Sequence, residues 1–456
     1  MATSSGFSPA VGQRVQIHGL AASPALNGRF GRVMDFIRAK QRFLVAVDGD
    51  ATWKLVRPAH LARPPDGPSL AEESPVAGSL RFASFNCLSQ SLLEQNHDML
   101  YRHSPPDALR RRPRLAALIE LVAGLQADVV GLQEVEPEEY RTAWLPRLGA
   151  MGYAGAFKQR TGDSKETPDG VALFWRASRL ELQHEPEALE YSRLAERAHD
   201  AREAEDLRNK HQVALLARLR DLATGRGLVV GTTHILWNPR RGQVKARQVE
   251  ALMARAAELS GGDDSGAAVV VLGDFNCEPS SVLHSFVCDG HLDAPLADEG
   301  AWDGSRPARG RGGVRGGGRR GGYGGRGNGR HSGAGSIVTR MTHAMAGRLR
   351  SAYAGWGEPE VSTYHGAHQG TVDYILFEPA HMEPLALRPT PSRAEHTWRG
   401  PMPRAGCPSD HVPIAADLGW VGSIVGTPTA AAHGRRAKRR GGEASVTGQE
   451  KSRRVT

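Results

Sequence analysis

Apolar and polar positions alternate singly at the start of the chain and then change period. Between residues 11 and 61, Val15 and Ile17 alternate with polar neighbours, and Phe43, Val45 and Val47 do so again. Asn27-Gly28 and Gly31 mark turns, and Val56, Pro58 and Leu61 close the stretch. A period of two interrupted by Asn-Gly predicts hairpins, hence a small all-β module. Residues 62–79 (ARPPDGPSLAEESPVAGS) read as a Pro/Gly/Ser-rich linker. From Leu80 onward, apolar runs predict strands at 80–87, 128–134, 228–235, 267–276, 371–377 and 411–418. A helix is expected from near Pro113, with Leu115, Leu118, Ile119 and Val122 on one face. A second is expected over 243–260, where Val249, Leu252, Met253, Ala256 and Leu259 share a face and Gly261-Gly262 stops it. Strands alternating with helices predict an α/β domain over 80–303 and 336–420.

Residues 304–335 interrupt that domain with fifteen glycines and eight arginines. Such a stretch lacks the apolar surface to offset its ordering entropy, so a disordered Arg/Gly-rich insertion is expected, resembling RGG boxes that bind RNA loosely. Residues 421–456 read as a basic disordered tail in which RRAKRR (435–440) is either a nuclear import signal or added RNA affinity. The insertion carries +8 and residues 435–456 carry +6 of the net +9, so the rest of the chain is at −5. Phosphate attraction is therefore expected from the flexible segments rather than from the folded body. Cys87, Cys277, Cys288 and Cys407 form no C-x-x-C pair, which gives no zinc or disulfide framework and suits reduced thiols in the cytosol or nucleus. No run of about 18 apolar residues occurs and the first residues lack a signal pattern. A soluble cytoplasmic protein without a membrane partner is expected, with a nuclear location as the alternative.

The chemistry sits where apolar runs meet polar residues. RFASF ends in Asn86, ADVVGL in Gln133-Glu134, LVVGTT in His234, and AAVVVLG in Asp274-Phe275-Asn276; GTV leads into Asp373-Tyr374, and Ser409-Asp410-His411 opens the last strand. Strand ends are often polar, so any one of these is ordinary. Together they suit phosphodiester hydrolysis. Magnesium, or manganese in its place, takes hard oxygen ligands. Glu134 is the expected principal ligand, with Asn86 supplying a carbonyl or orienting a bound water. Asp274 and Asn276, two apart on an extended segment, are expected to face the same way, Asp274 activating water and Asn276 holding phosphate or metal. Asp373 can fix the tautomer of His411 and favour its cation, and His234 can donate to a phosphate oxygen. Lys158, Arg160 and Lys165 are either phosphate contacts or a solvated face. Trp237, Asn238 and Pro239 are either a wall for an unpaired base or loop packing.

Those six motifs in order, over about 80–418, resemble the endonuclease/exonuclease/phosphatase superfamily. The resemblance implies a four-layer α/β sandwich, two packed β-sheets flanked by helices, here preceded by a module whose pattern resembles small SH3-like barrels. It also implies the same roles: Glu134 and Asn86 at the metal, Asp274 as base, Asn276 and His234 on phosphate, and Asp373–His411 as the supporting dyad. LSQSLLEQNHDMLYRH at 88–103, KQRTGD with Asp169-Gly170, THILWNPRRGQVKARQ at 233–248 and EPEVSTYH at 358–365 resemble the deadenylase branch, and within it Angel-type proteins, whose relatives include nocturnin and the carbon-catabolite-repressor deadenylases. Gln212 stands where that branch shows Asn. His368 stands where poly(A)-specific members place an aromatic that stacks on adenine. The expected function is a magnesium-dependent 3′-5′ exoribonuclease on single-stranded RNA 3′ ends or poly(A). The alternatives are an RNA 2′,3′-cyclic phosphate phosphatase and a non-catalytic RNA-binding adaptor. The N-terminal module is a candidate site for another protein or RNA.

Overall fold

The computed structural model describes residues 14–47, 53–62, 76, 78–163, 165–198, 200–261, 266–305 and 338–422. Most of the 62–79 linker, the Arg/Gly stretch beyond Ser305, Gly262 and the basic tail from 423 lie outside the described residues.

Residues 14–62 form a five-stranded antiparallel sheet in the spatial order Lys54–Val56, Arg42–Val47, Phe30–Ile37, Arg14–Ile17, Leu61–Ala62. Its core holds Val15, Ile17, Phe43, Val45, Val47, Val56 and Leu61, read from the sequence, together with Val33, which that reading did not single out.

The larger part holds two sheets. The first runs Met382–Leu387, Ile414–Trp420, Ser79–Asn86, Val129–Val135, Gly170–Arg176, Tyr153–Gln159; the second runs Leu180–Leu182, Val213–Asp221, Gly227–His234, Ala268–Asp274, Asp373–Phe377, Arg350–Ser351. Phe82, Val129 and Leu173 of the first pack with Leu215, Val230, Leu272 and Ile375 of the second in one buried cluster between the sheets. The outer faces are covered separately. Leu118, Ile119 and Val122 of the helix Arg111–Gly124 lie on the first sheet. Val249, Leu252, Met253 and Ala256 of the helix Gly242–Ser260 lie on the second. The longer helix ends at Gly261, whose φ of +97° accepts the left-handed cap at no steric cost.

The construction is repeated in each sheet, and this positions the site. Ser79–Asn86 pairs in parallel with Val129–Val135, and Gly227–His234 pairs in parallel with Ala268–Asp274. Each parallel pair is joined across the outer face by a helix, Arg111–Gly124 or Gly242–Ser260. Parallel register brings carboxyl ends level: Asn86 opposite Gln133, and His234 opposite Asp274. Antiparallel register then sets Asp373 beside Asp274. Between the sheets, a Cβ at Gly131 would come within 2.7 Å of Thr232 Oγ1. Gln133 Nε2, itself fully buried, donates to that hydroxyl at 3.0 Å.

Candidate active site

The first sheet contributes Asn86 as the last residue of its strand and Glu134 as a bulge. Pairing with Gly170–Arg176 slips between Gln133 and Val135, and Glu134 has φ +56°. A non-glycine residue in this region costs on the order of 1–2 kcal/mol. The bulge turns the Glu134 carboxylate out of the strand's alternation and towards the second sheet. Glu134 Oε1 accepts from Asn86 Nδ2 at 2.9 Å, and Oε2 accepts from the backbone N–H of Ser89 at 3.1 Å.

The second sheet contributes His234, Asp274 and Asp373, with His411 arriving from the approach to the last strand. Asp274 Oδ2 is the hub. It accepts from Asn86 Nδ2 at 3.1 Å, and lies 3.6 Å from His234 Nε2 and 3.8 Å from His411 Nε2. His234 Nδ1 lies 3.9 Å from Glu134 Oε1. His411 Nδ1–H donates to Asp373 Oδ2 at 2.8 Å, and Ser362 Oγ donates to the same oxygen at 2.6 Å. Asn86, Glu134, His234, Asp274, Asp373 and His411 are thus one continuous cluster.

Burial sets the electrostatics. It opposes a charge on His411, but Asp373, with Asp410 and Asp274 behind it, outweighs burial and raises the imidazole pKa to about 10. Burial pushes the Asp274 carboxyl above its ordinary value; His234 and His411 pull it down, and Asp373 pushes it further up. Such a carboxylate holds a proton more readily than a solvated one, as a general base requires.

One expectation needs correction. The extended segment ends at Asp274, and Asn276 has φ +47°. Asn276 therefore does not share the facing of Asp274: its backbone N–H donates to Asp274 Oδ1 at 2.9 Å and its side chain donates to Ile235 O at 2.9 Å. Asn86 presents its NH2 to the two carboxylates, while its carbonyl accepts from Leu88 N–H at 3.0 Å.

Of the expected substrate contacts, Arg160 reaches the cluster through Asp169. Its Nη1 is 3.1 Å from Asp169 Oδ1, and Asp169 feels the charges of Glu134 and His234. Lys158 is paired with Glu190, and Lys165 is exposed. Trp237 is 68% exposed in the loop after His234, with Asn238 and Pro239 half-buried beside it. No hydrogen bond or ion pair joins these three to the cluster among the described residues. His368 sits on the hairpin Thr363–His365/His368–Gly370, half-buried, with Nε2 3.7 Å from Glu278. Burial lowers its pKa, with lesser contributions from His365 and His411.

Three supporting residues carry no assigned role in the sequence reading. Asp169 is fully buried with one oxygen unpartnered, although the Asp169-Gly170 pair marks its position. Ser362, within EPEVSTYH, holds Asp373. Tyr101 OH, within LYRH, donates to Asp410 Oδ2 at 2.9 Å. Asp169 and Ser362 each directly precede a strand, Gly170–Arg176 and Thr363–His365, and Tyr101 lies in a motif segment.

A divalent cation fits this donor set. Glu134, Asp274, Asp373 and Asp169 bring four carboxyl groups into contact or electrostatic reach of one another, and buried oxygens of Asp373 and Asp169 have no hydrogen-bond partner. Oxygen donors in excess over nearby cations suit a hard ion. Asp274, Asp373 and His411 also lie within 4.8 Å of one another. However, the 2.8 Å bond between Asp373 and His411 occupies the facing atoms of two of them. The Glu134 side of the cluster is the better seat.

The model of the Endonuclease/Exonuclease/phosphatase family matches residues 83–411. Protein angel homolog 2 of Danio rerio is 36% identical over 214 residues, covering 46% of this chain and 35% of the relative. The 2′,5′-phosphodiesterase 12 of Homo sapiens is 27% identical over 356 residues, covering 75% of this chain and 52% of the relative. The matches thus span about a third to a half of those proteins. A crystal structure of ANGEL2, described as a 2′,3′-cyclic phosphatase in complex with adenosine-2′,3′-vanadate, superposes with a TM-score of 0.61 at 26% identity, over 75% of this chain and 95% of that one.

Proposed function

The chain belongs to the endonuclease/exonuclease/phosphatase family, and on that premise we propose that it is a divalent-metal-dependent hydrolase of phosphate esters at RNA 3′ ends. The observation carrying this reading is the single cluster in which Asn86, Glu134, His234, Asp274, Asp373 and His411 meet at contacts of 3.9 Å or less.

Glu134 would hold the metal, with Asn86, which bridges the Glu134 and Asp274 carboxylates, beside it. When bound, the ion supplies charge neutralisation at the phosphate and polarises an attacking water. Asp274 accepts the proton of that water as the new O–P bond forms and the bond to the leaving oxygen breaks. The His411 imidazolium, held by Asp373, faces the charge that gathers on phosphorus-bound oxygens, and His234 donates to another of them. Asn276, tied to Ile235 O, fixes the turn that sets Asp274; its place beside phosphate is part of the same reading. Arg160, oriented by Asp169, binds a further phosphate. Trp237, Asn238, Pro239 and His368 would support an unpaired base, a role favoured by the exposure of Trp237 in the loop that follows His234. The Arg/Gly segment adds salt-sensitive attraction, and the N-terminal sheet, if SH3-like, is a docking module for protein or RNA.

Two products are chemically open. Nucleotides are removed one at a time in the exonuclease reading, which the deadenylase-type motifs support. A terminal cyclic phosphate is removed in the second reading, which the likeness to the ANGEL2 structure favours. Purified chain with magnesium and 5′-labelled RNAs ending in A, U or 2′,3′-cyclic phosphate separates them. A ladder shortening by single residues supports the exonuclease; inorganic phosphate without shortening supports the phosphatase. No product from any of these RNAs would refute both.

A further inference from the structure

The site accounts for the reacting end of an RNA and leaves unexplained where the rest of the strand lies. Three large apolar side chains are the most exposed among the described residues: Trp398 at 84%, Met99 at 70% and Trp237 at 68%. All three belong to segments tied to the site's rim. Trp237 lies three residues beyond His234. Met99 borders a groove of about 400 Å³ lined by Asp98, Met99, Leu100, Arg102, His103 and Gly366. Gly366 is the turn of the hairpin that carries His368, and its N–H donates to Leu100 O at 3.1 Å. A Cβ there would come within 2.8 Å of that carbonyl, so the close approach requires glycine. Trp398 lies on the helix Arg393–Arg399, which is clamped to the same hairpin where Arg393 Nη1 donates to Gln369 O at 3.2 Å. Groove and helix are joined as well. His103 Nε2 donates to Met402 O at 3.2 Å, and Met402 N–H donates to Tyr364 O at 2.9 Å.

The charge around Trp398 is positive in a body that is otherwise acidic, while Asp98 offsets Arg102 in the groove beside Met99. Residues 388–404 carry Arg388, Arg393, Arg399 and Arg404 against Glu395 alone. Glu395 is engaged in the capping box of its own helix. Arg102 and Arg399 are exposed and form no ion pair among the described residues. Exposed aromatics interleaved with unpaired arginines suit a flexible strand of stacked bases and phosphates. A folded protein partner would favour a broader dry patch than these scattered side chains provide.

We propose that the Met99–His103 groove and the Trp398–Arg399 face of the helix form a binding track for single-stranded RNA lying 5′ to the reacting nucleotide. The track rests on the reading of the site as acting on RNA 3′ ends. It adds that substrates longer than a dinucleotide gain affinity from contacts outside the reacting cluster.

The test compares the full chain with Trp398→Ala and Arg102→Ala on a 15-nucleotide single-stranded RNA and on a dinucleotide with the same 3′ end. Each substitution should raise KM for the long RNA by roughly ten-fold, within the range lost with one base–aromatic stack or phosphate contact. Rates on the dinucleotide should stay within two-fold, which also shows that the variants are folded. Arg102→Ala should lower the salt slope of binding by roughly 0.7. Unchanged KM on the long RNA, or equal losses on both lengths, would overturn the track. Binding of the 15-nucleotide RNA to a Glu134→Ala background, followed by fluorescence anisotropy, separates the two readings. If the wild-type chain hydrolyses neither RNA, the functional reading fails, while the track still stands or falls on whether Trp398→Ala weakens that binding by the same factor.

Discussion

Asp373→Asn isolates the buried dyad with the smallest change in shape. His411 is raised from about 6.5 to about 10, chiefly because Asp373 overcomes the opposing effect of burial. That displacement corresponds to roughly 5 kcal/mol in favour of the imidazolium. An amide keeps the volume but withdraws the charge, so burial opposes the His411 cation with only Asp410 and Asp274 left to favour it, and its pKa falls. The stability the pair contributes has a matching window: it is present in full below the unfolded imidazole value and is lost as pH rises through about 10. In the wild type, kcat/KM on a labelled RNA should hold towards an alkaline limb near that value. In Asp373→Asn the limb should move to lower pH, with a plateau lower by roughly 10²–10³, the loss typical of one charge-stabilising donor. The limb is followed by rate and, independently, by NMR titration of the His411 ring. A variant with the wild-type alkaline limb and a rate within three-fold would refute the argument that Asp373 keeps His411 charged.

Glu134→Ala should lower magnesium-dependent turnover by roughly 10²–10⁴ and weaken Mn²⁺ binding measured by calorimetry, while thermal stability stays close to wild type. Gly273→Ala should destabilise the fold and displace Asp274, because Gly273 has φ +153° and a Cβ would lie 2.2 Å from Thr233 O; chemical denaturation and turnover should both register it. Leu272→Ala, between the sheets, should cost about 2–5 kcal/mol in urea unfolding with KM unchanged in the folded fraction. Removing residues 306–335 should weaken RNA binding and flatten its salt dependence, leaving turnover of a dinucleotide intact.

The reacting cluster was legible because each member follows or precedes an apolar run, and two parallel strand pairs bring such ends level. The long helix over 243–260 was legible for the same reason of period: its apolar face is wide and Gly261 caps it. What escaped has physical causes. Val213–Asp221 (VALLARLRD) is built from good helix formers, yet it is a central strand because both its faces are buried between neighbours. Tyr153–Gln159 lies at a sheet edge with mostly half-buried residues and no alternation. The bulge at Glu134 carries no signal in residue type, since glycine or asparagine announces such a backbone and Glu134 is neither, whereas the left-handed turn at Asn276 falls on an asparagine and could have been suspected. Asp169 and Ser362 act through neighbours that only the fold brings near.

The account turns on a cation seated at Glu134, beside Asn86. Its most direct test is a crystal of the full chain soaked in Mn²⁺, read by anomalous difference density. One peak at ligand distance, roughly 2.0–2.3 Å, from a Glu134 carboxylate oxygen is the predicted result. Density centred instead on the Asp373–His411 pair, or none at saturating Mn²⁺, would contradict it.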